Sequence, residues 1–245
     1  MSAISLSKID PEHMVKKMSY RLKSLGVFTT TCCLAFAAAG QDFKQALSDM
    51  HKTFSEAKRM HIVMDISVFE NVNSTIPFYH DKAEVNRDSN NYLYHYNNMD
   101  FLMNDQFIVI VDKTEKEIMC SRRDTGSEND FNKQFSFNID SIFSLFENPK
   151  HISREKDIDH YRVFQKNNSI TQVDLFINSV SHLIQKTQYL YDNGQFVSIH
   201  FDQFDIHPKF KDEEFEEGLY FSKLNGKYQL AEKFKYFKIS DGNNQ

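Results

Sequence analysis

The chain has 245 residues, a formal net charge of −5, 40% hydrophobic and 26% charged residues, proportions that exclude wholesale disorder. Residues 1–40 hold five basic and two acidic side chains, which leaves 24 basic against 32 acidic residues in the remainder. So acidic a body excludes a nucleic-acid partner, because Lys and Arg supply the affinity for a phosphate backbone. Aromatic residues are abundant, with 23 Phe and 11 Tyr but no Trp, while 7 Gly and 4 Pro leave most turns to Asn, Asp and Ser.

Lys16, Lys17, Arg21 and Lys23 precede a moderately apolar stretch at 25–40 that ends in Ala37, Ala38, Ala39 and Gly40. A basic region, an apolar core and a small-residue exit predict a secretory signal segment over 1–40, cleaved near Ala39–Gln41. Translation is expected to start at Met14 or Met18, since the residues before them add nothing to such a signal. The stretch is shorter than a spanning helix requires and is interrupted by three threonines, so no stable membrane span is expected. Thr29–Thr31 before Cys32 and Cys33 argue against acylation of either cysteine. Cys120 then remains alone, and stability rests on the core without an intrachain disulfide.

After Gln41, Phe43, Ala46, Leu47, Met50 and Phe54 recur at helical spacing and predict an amphipathic helix of about four turns. Alternation then predicts strands in quick succession. Ile62, Met64, Ile66 and Val68 share a face, and so do Tyr92, Tyr94 and Tyr96. Met99–Met103 and Phe107–Val111 read as a hairpin turning at Asn104–Asp105. Its second arm is apolar at every position, which calls for cover on both faces. Residues 121–135 read as a loop, and Asn138 caps a short predicted helix carrying Ile142, Phe143 and Phe146, stopped by Asn148–Pro149. Strands resume at 161–164 and at 170–177, where Val173, Leu175 and Ile177 share a face. Asp192–Gln195 joins two more strands in a hairpin, the second placing Val197, Ile199 and Phe201 together. A last hairpin centres on Asn225–Gly226. Residues 41–245 therefore read as one domain, mainly β with some α, a single curved antiparallel sheet that does not close into a barrel, covered by a few helices.

This order resembles the periplasmic lipoprotein carrier family, the LolA-like proteins and their outer-membrane receptor relatives. The matching pieces are the signal segment, the first helix, the strand from Met60 to Phe69, the run Tyr92–Tyr96 and Phe101 to Asp112, with Tyr189–Phe201, Pro208 and Phe215 near the end. The family's Arg-Pro start and central Arg-Trp pair are absent, and Arg87 is the only basic residue near that place. The resemblance implies an unclosed barrel lidded by helices around an apolar cavity for acyl chains. It also implies an exported or periplasmic protein whose partners are lipidated proteins or lipids, with envelope membrane proteins as further candidates.

The expected ligand surface consists of Ile62, Met64, Ile66, Val68, Tyr92, Tyr94, Tyr96, Phe101, Met103, Ile108, Ile110, Val173, Leu175, Ile177, Val197, Ile199 and Phe201. The expected lid consists of Leu47, Met50 and Phe54 on the first helix and Ile142, Phe143 and Phe146 on the second. Taken singly, these side chains are ordinary core. Taken together, they suit a wide half-barrel that holds an apolar ligand. No catalytic motif is present. His200, Asp202 and His207 are the closest metal-capable group, and they lack the three or four converging ligands of a zinc site, so no metal and no cofactor is expected. The carboxylates at 212–217 read as a solvated loop. The competing expectation is a cell-envelope interaction or scaffold module on the same fold without a ligand, its partner served by the hairpin at Asn225–Gly226.

Overall fold

The computed structural model describes residues 30–123, 146–165, 169–211, 213–224 and 227–241. The predicted signal core before Thr30, the loop after Arg123 and the lid candidates Ile142 and Phe143 lie outside the described residues. One α-helix, α1 (Thr30–Glu56), is followed by the first strands β1 (Arg59–Phe69), β2 (Tyr79–Asp88), β3 (Asn91–Tyr96), β4 (Met99–Met103), β5 (Phe107–Asp112) and β6 (Glu117–Arg122). Then come β7 (Phe146–Glu155), β8 (Ile158–Gln165), β9 (Ile170–Asn178), β10 (Ile184–Tyr191) and β11 (Phe196–Asp205). The chain ends with β12 (Phe221–Leu224), β13 (Lys227–Leu230) and β14 (Lys238–Asp241). The helix begins at Thr30, ahead of the expected Gln41. No helix among the described residues is long and apolar enough to cross a membrane.

Twelve strands form one curved, unclosed sheet in the order β14-β6-β5-β4-β3-β2-β1-β11-β10-β9-β8-β7, and β12 and β13 pair separately. Every pairing in the large sheet is antiparallel except that of β14 with β6. Short turns make most sequence neighbours into sheet neighbours, and two long-range pairings, β1 with β11 and β14 with β6, complete the sheet. Gly194, at φ +87°, supplies the left-handed residue in the turn between β10 and β11. The same turn is closed by a hydrogen bond from Tyr191 N–H to the Gln195 carbonyl.

Alternation along the strands gives the sheet two faces of different character. One face carries cross-strand rows such as Ile62–Val85–Tyr94–Phe101–Ile110–Met119 and Val163–Val173–Tyr189–Val197–Val68–Tyr79. Helix α1 lies on it, and it is termed the helix face. Phe43, Leu47 and Met50 are buried there against Tyr161, Val163, Val173, Ile177 and Ile184. Phe54 continues this contact toward Met60 and Ile62.

The opposite face changes character across the sheet. Over β8–β11 and β1–β2 it is polar, as in the row Arg162–Asp174–Gln188–Ser198–Ser67–His80. Over β3–β6 it is apolar: Leu93, Leu102, Val109, Val111, Ile118 and Cys120 are buried under Phe215, Tyr220, Phe221 and Phe234 of the C-terminal segment. The two-sided burial expected for the β5 strand is complete on this side, where Val109 and Val111 are 0% exposed.

Two expectations are corrected here. Phe146 is not on a helix: residues 146–155 form strand β7, paired with β8 at the edge of the sheet. Asn148 has φ +48° and the register slips between Glu147 and Lys150, a bulge that accommodates Pro149, and an edge strand has room for a proline that donates no ladder bond. The cover expected on both faces of β5 is also incomplete, since Ile108 and Ile110 on the helix face stay half-buried, while the last hairpin gives Phe221 to the core at 1% exposure and leaves Leu224 exposed. Leu47→Ala should cost roughly 2–5 kcal/mol and Ile118→Val roughly 0.5–1.5 kcal/mol, measured by urea unfolding. Because the two lie under separate covers on opposite faces, the double variant should lose about the sum of the two.

Candidate functional site

The register puts all the expected ligand-surface residues on the helix face, and α1 covers only some of them. Ile62, Met64, Val173, Leu175, Ile177 and Phe201 pack in the clusters that include α1 or its end. Ile66, Val68, Tyr92, Tyr94, Tyr96, Phe101, Met103, Ile108, Ile110, Val197 and Ile199 belong to none of the three buried clusters. Met103 is buried and the others are half-buried. They form a strip across β11, β1 and β3–β5 beside the helix. The lid candidates Leu47, Met50 and Phe54 are the side chains by which α1 sits on the sheet, so the helix borders the strip.

Polar groups mark the ends of this face. Tyr79 and Tyr96 hydroxyls lie 2.9 Å apart, and Tyr79 donates to Asp81 Oδ2 at 3.1 Å. Tyr94 stacks near Tyr96, with ring centroids 6.2 Å apart. The hydrogen bond to Tyr96 is the main cause raising the Tyr79 phenol above its ordinary value. Burial, followed by the charges of Tyr96 and Asp81, raises Tyr94. Thr187, 3% exposed, has a buried hydroxyl with no hydrogen-bond partner among the described residues. It sits in the row Tyr161–Leu175–Thr187–Ile199–Ile66–Asp81. At the β7–β8 end, Asp159 accepts two bonds from Arg154, at 2.7 and 2.6 Å, and one of 2.9 Å from His151. Burial first, then the charges of Asp159 and Asp42, push the Tyr161 phenol up to about 12.

Two clefts formed by described residues lie elsewhere and are mostly polar. One of about 600 Å³ is lined by Arg59, Asp88, Asn104, Lys211, Glu216 and Glu217 among others, and one of about 290 Å³ by His61, Glu84, Asn86 and Glu214 among others. Buried asparagines line both. Asn104 donates to the Phe215 carbonyl at 3.1 Å and to Glu217 at 2.7 Å, and its Oδ1 accepts from the backbone of Gln106 and Phe107. Asn86 donates to Glu84 and Glu214, each at 3.2 Å, and accepts from His61 at 2.6 Å. Glu214 and Glu217, expected in a solvated loop, thus tie the C-terminal segment to the strands. Two features could have signalled this: an Asn within a strand, and a Phe every few residues among the carboxylates.

No group of three or more metal-capable side chains gathers among the described residues. Asp202 takes Lys82 at 3.0 Å, and His200 lies 3.4 Å from it, so the expected pair is spent on a surface ion pair. On the opposite face, burial acts to raise Asp174, but hydrogen bonds from Arg162, His160 and Gln172 outweigh it and hold the carboxyl below its ordinary value.

No family model matches the sequence, and a comparison with curated proteins finds no match. Solved structures do resemble the fold. An uncharacterized conserved protein from Thermus thermophilus matches over 82% of this chain and 99% of its own, at 6% identity and TM-score 0.48. A LolA superfamily protein from Nitrosomonas europaea matches over 71% of this chain and 97% of its own, at 9% identity and TM-score 0.32. The Pseudomonas aeruginosa MucA/MucB complex provides a chain matched over 78% of this one and 63% of its own, at 13% identity and TM-score 0.42.

The bonds that Arg154 and then His151 make to Asp159 hold its carboxyl below the ordinary range. A depressed folded-state pKa adds stability above the unfolded value of about 4, and that stability is lost as pH falls through the lower folded value. Urea unfolding from about pH 6 down to about pH 2 should therefore show a shallower acid decline for Asp159→Asn than for wild type. At the level of architecture, the chain is an open, curved, mostly antiparallel sheet with a helix laid on one face.

Proposed function

We propose that this protein is a non-enzymatic binder or carrier of apolar cargo, the acyl chains of a lipid or lipidated protein, working in an exported or periplasmic setting. The observation that supports this is the strip beside α1: aromatic and aliphatic side chains left half-buried on the face that the helix only partly covers. Cargo laid on the strip would remove that surface from water, worth about 0.8 kcal/mol per buried methylene. Displacement of α1, held by Phe43, Leu47, Met50 and Phe54, would widen the surface for longer chains. The Thr187 hydroxyl supports the same reading, because a buried unpartnered group costs about 1–3 kcal/mol that a polar atom of a ligand would recover. The scaffold reading is weakened by the core position of the last hairpin, which leaves its buried face unavailable to a partner.

A fluorescent fatty-acid probe titrated into the delipidated full chain should bind saturably. Ile110→Asp, which charges a half-buried strip position, should weaken binding by more than about tenfold while changing thermal stability little. Absence of saturable binding to the wild type, or unchanged binding to the variant, would exclude the strip as the cargo surface.

A further inference from the structure

The end of the strip nearest the turn between β1 and β2 has a chemistry of its own. Asp81 stands directly across from Ile66, and Tyr79 across from Val68, in the β1–β2 pairing. Asp81 therefore projects from the apolar helix face. Its Oδ1 accepts only the adjoining Lys82 backbone N–H, at 2.7 Å, and its Oδ2 accepts from Tyr79.

Several other strand carboxylates have a basic side chain beside them: Asp65 has His80, Asp88 has Arg59, Asp100 has Lys113, Asp159 has Arg154, Asp174 has Arg162 and Asp202 has Lys82. Among the described residues Asp81 has none. The rest of this region is also short of positive charge. The neighbouring row runs Met64–Ala83–Tyr96–Met99–Asp112–Glu117, and Arg87, at the far end of β2, is the only basic residue on the helix face of β1–β6.

We propose that Tyr79, Asp81, Tyr94 and Tyr96 form a recognition site for the ammonium head of an amphiphile whose chain lies along Ile66, Val68, Val197 and Ile199. The proposal rests on the strip being an apolar-ligand surface and adds the class of head group. Ring faces and a carboxylate together attract an ammonium, most strongly where water is partly excluded. Each of the four residues is half-buried, which leaves them reachable while lowering the local dielectric. An anionic head would meet Asp81, Asp112 and Glu117 without a compensating cation. Such a site discriminates by charge at one end and by length along the strip.

The test uses three amphiphiles with the same twelve-carbon chain, kept below their micellar concentrations and titrated calorimetrically into the full chain: dodecyltrimethylammonium, dodecyl maltoside and dodecanoate. The ammonium should bind about tenfold more tightly than the maltoside, and the dodecanoate more weakly than either. Asp81→Asn should reduce the ammonium preference several-fold and leave maltoside affinity unchanged, and Tyr96→Leu should lower ammonium affinity by a larger factor than maltoside affinity, with circular dichroism confirming the fold. Equal affinities for all three would overturn the head-group site while sustaining the strip. Failure of all three to bind would overturn the strip reading itself. Tightest binding of the dodecanoate would overturn the charge assignment.

Discussion

A twelve-stranded sheet that stays open must find cover for two faces, and one helix of 27 residues does not reach across it. The chain answers by patterning the opposite face to change from charged to apolar at the β2–β3 boundary. On the charged side, water is the cover and carboxylates pair with arginine, lysine or histidine. On the apolar side, the chain returns after β11 and lays Phe215, Tyr220, Phe221 and Phe234 over the strands. The helix face is mostly apolar, and the strip is what remains after α1 has taken its share.

The two covers are held by different physics. The apolar face of α1 rests on aliphatic and aromatic contact, such as Phe43 against Tyr161 at 5.4 Å between ring centroids, and Arg87 adds one hydrogen bond of 3.4 Å to the Phe54 carbonyl at its end. The C-terminal segment adds directional bonds, with Asn86 and Asn104 reaching out of the strands to Glu214, Glu217 and the Phe215 carbonyl. Contact with few directional bonds suits an element that slides or lifts, whereas buried hydrogen bonds fix a register and are costly to break. The helix is therefore the cover that can yield, and the one that borders the strip.

Much of this was legible in local pattern. Alternation assigned Ile62 to Val68, Tyr92 to Tyr96 and Val173 to Ile177 to single faces, because a strand has no freedom to do otherwise. The wholly apolar run at Phe107–Val111 announced two apolar faces, of which Val109 and Val111 are covered while Ile108 and Ile110 stay half-buried in the strip. Sequence pattern alone could not show which element supplies each cover, since that is a long-range packing choice. Phe215, Phe221 and Phe234 sit in turns and short strands without a period of their own. The parallel return of β14 beside β6 has no local signature either. At Asn148–Pro149 the punctuation was read as a helix stop, when an edge strand with a bulge accommodates the same residues. For the strip, face membership followed from alternation, but that Asp81 stands on the apolar face without a basic side chain beside it became visible only in the assembled sheet.

The bulge in β7 has a further consequence, for how copies of the protein meet one another. An outermost strand with regular backbone would offer a row of free amide and carbonyl groups to any neighbouring chain, the geometry from which runaway stacking of sheets begins. Pro149 removes one donor from that row, and the slips in register on either side of Lys150 and His151 keep the remaining groups from lining up. Glu147, Lys150, Arg154 and Glu155 put charged, hydrated side chains along the same edge. A protein that displays so much aromatic surface on one face thus carries, at its rim, a safeguard against assembling with itself.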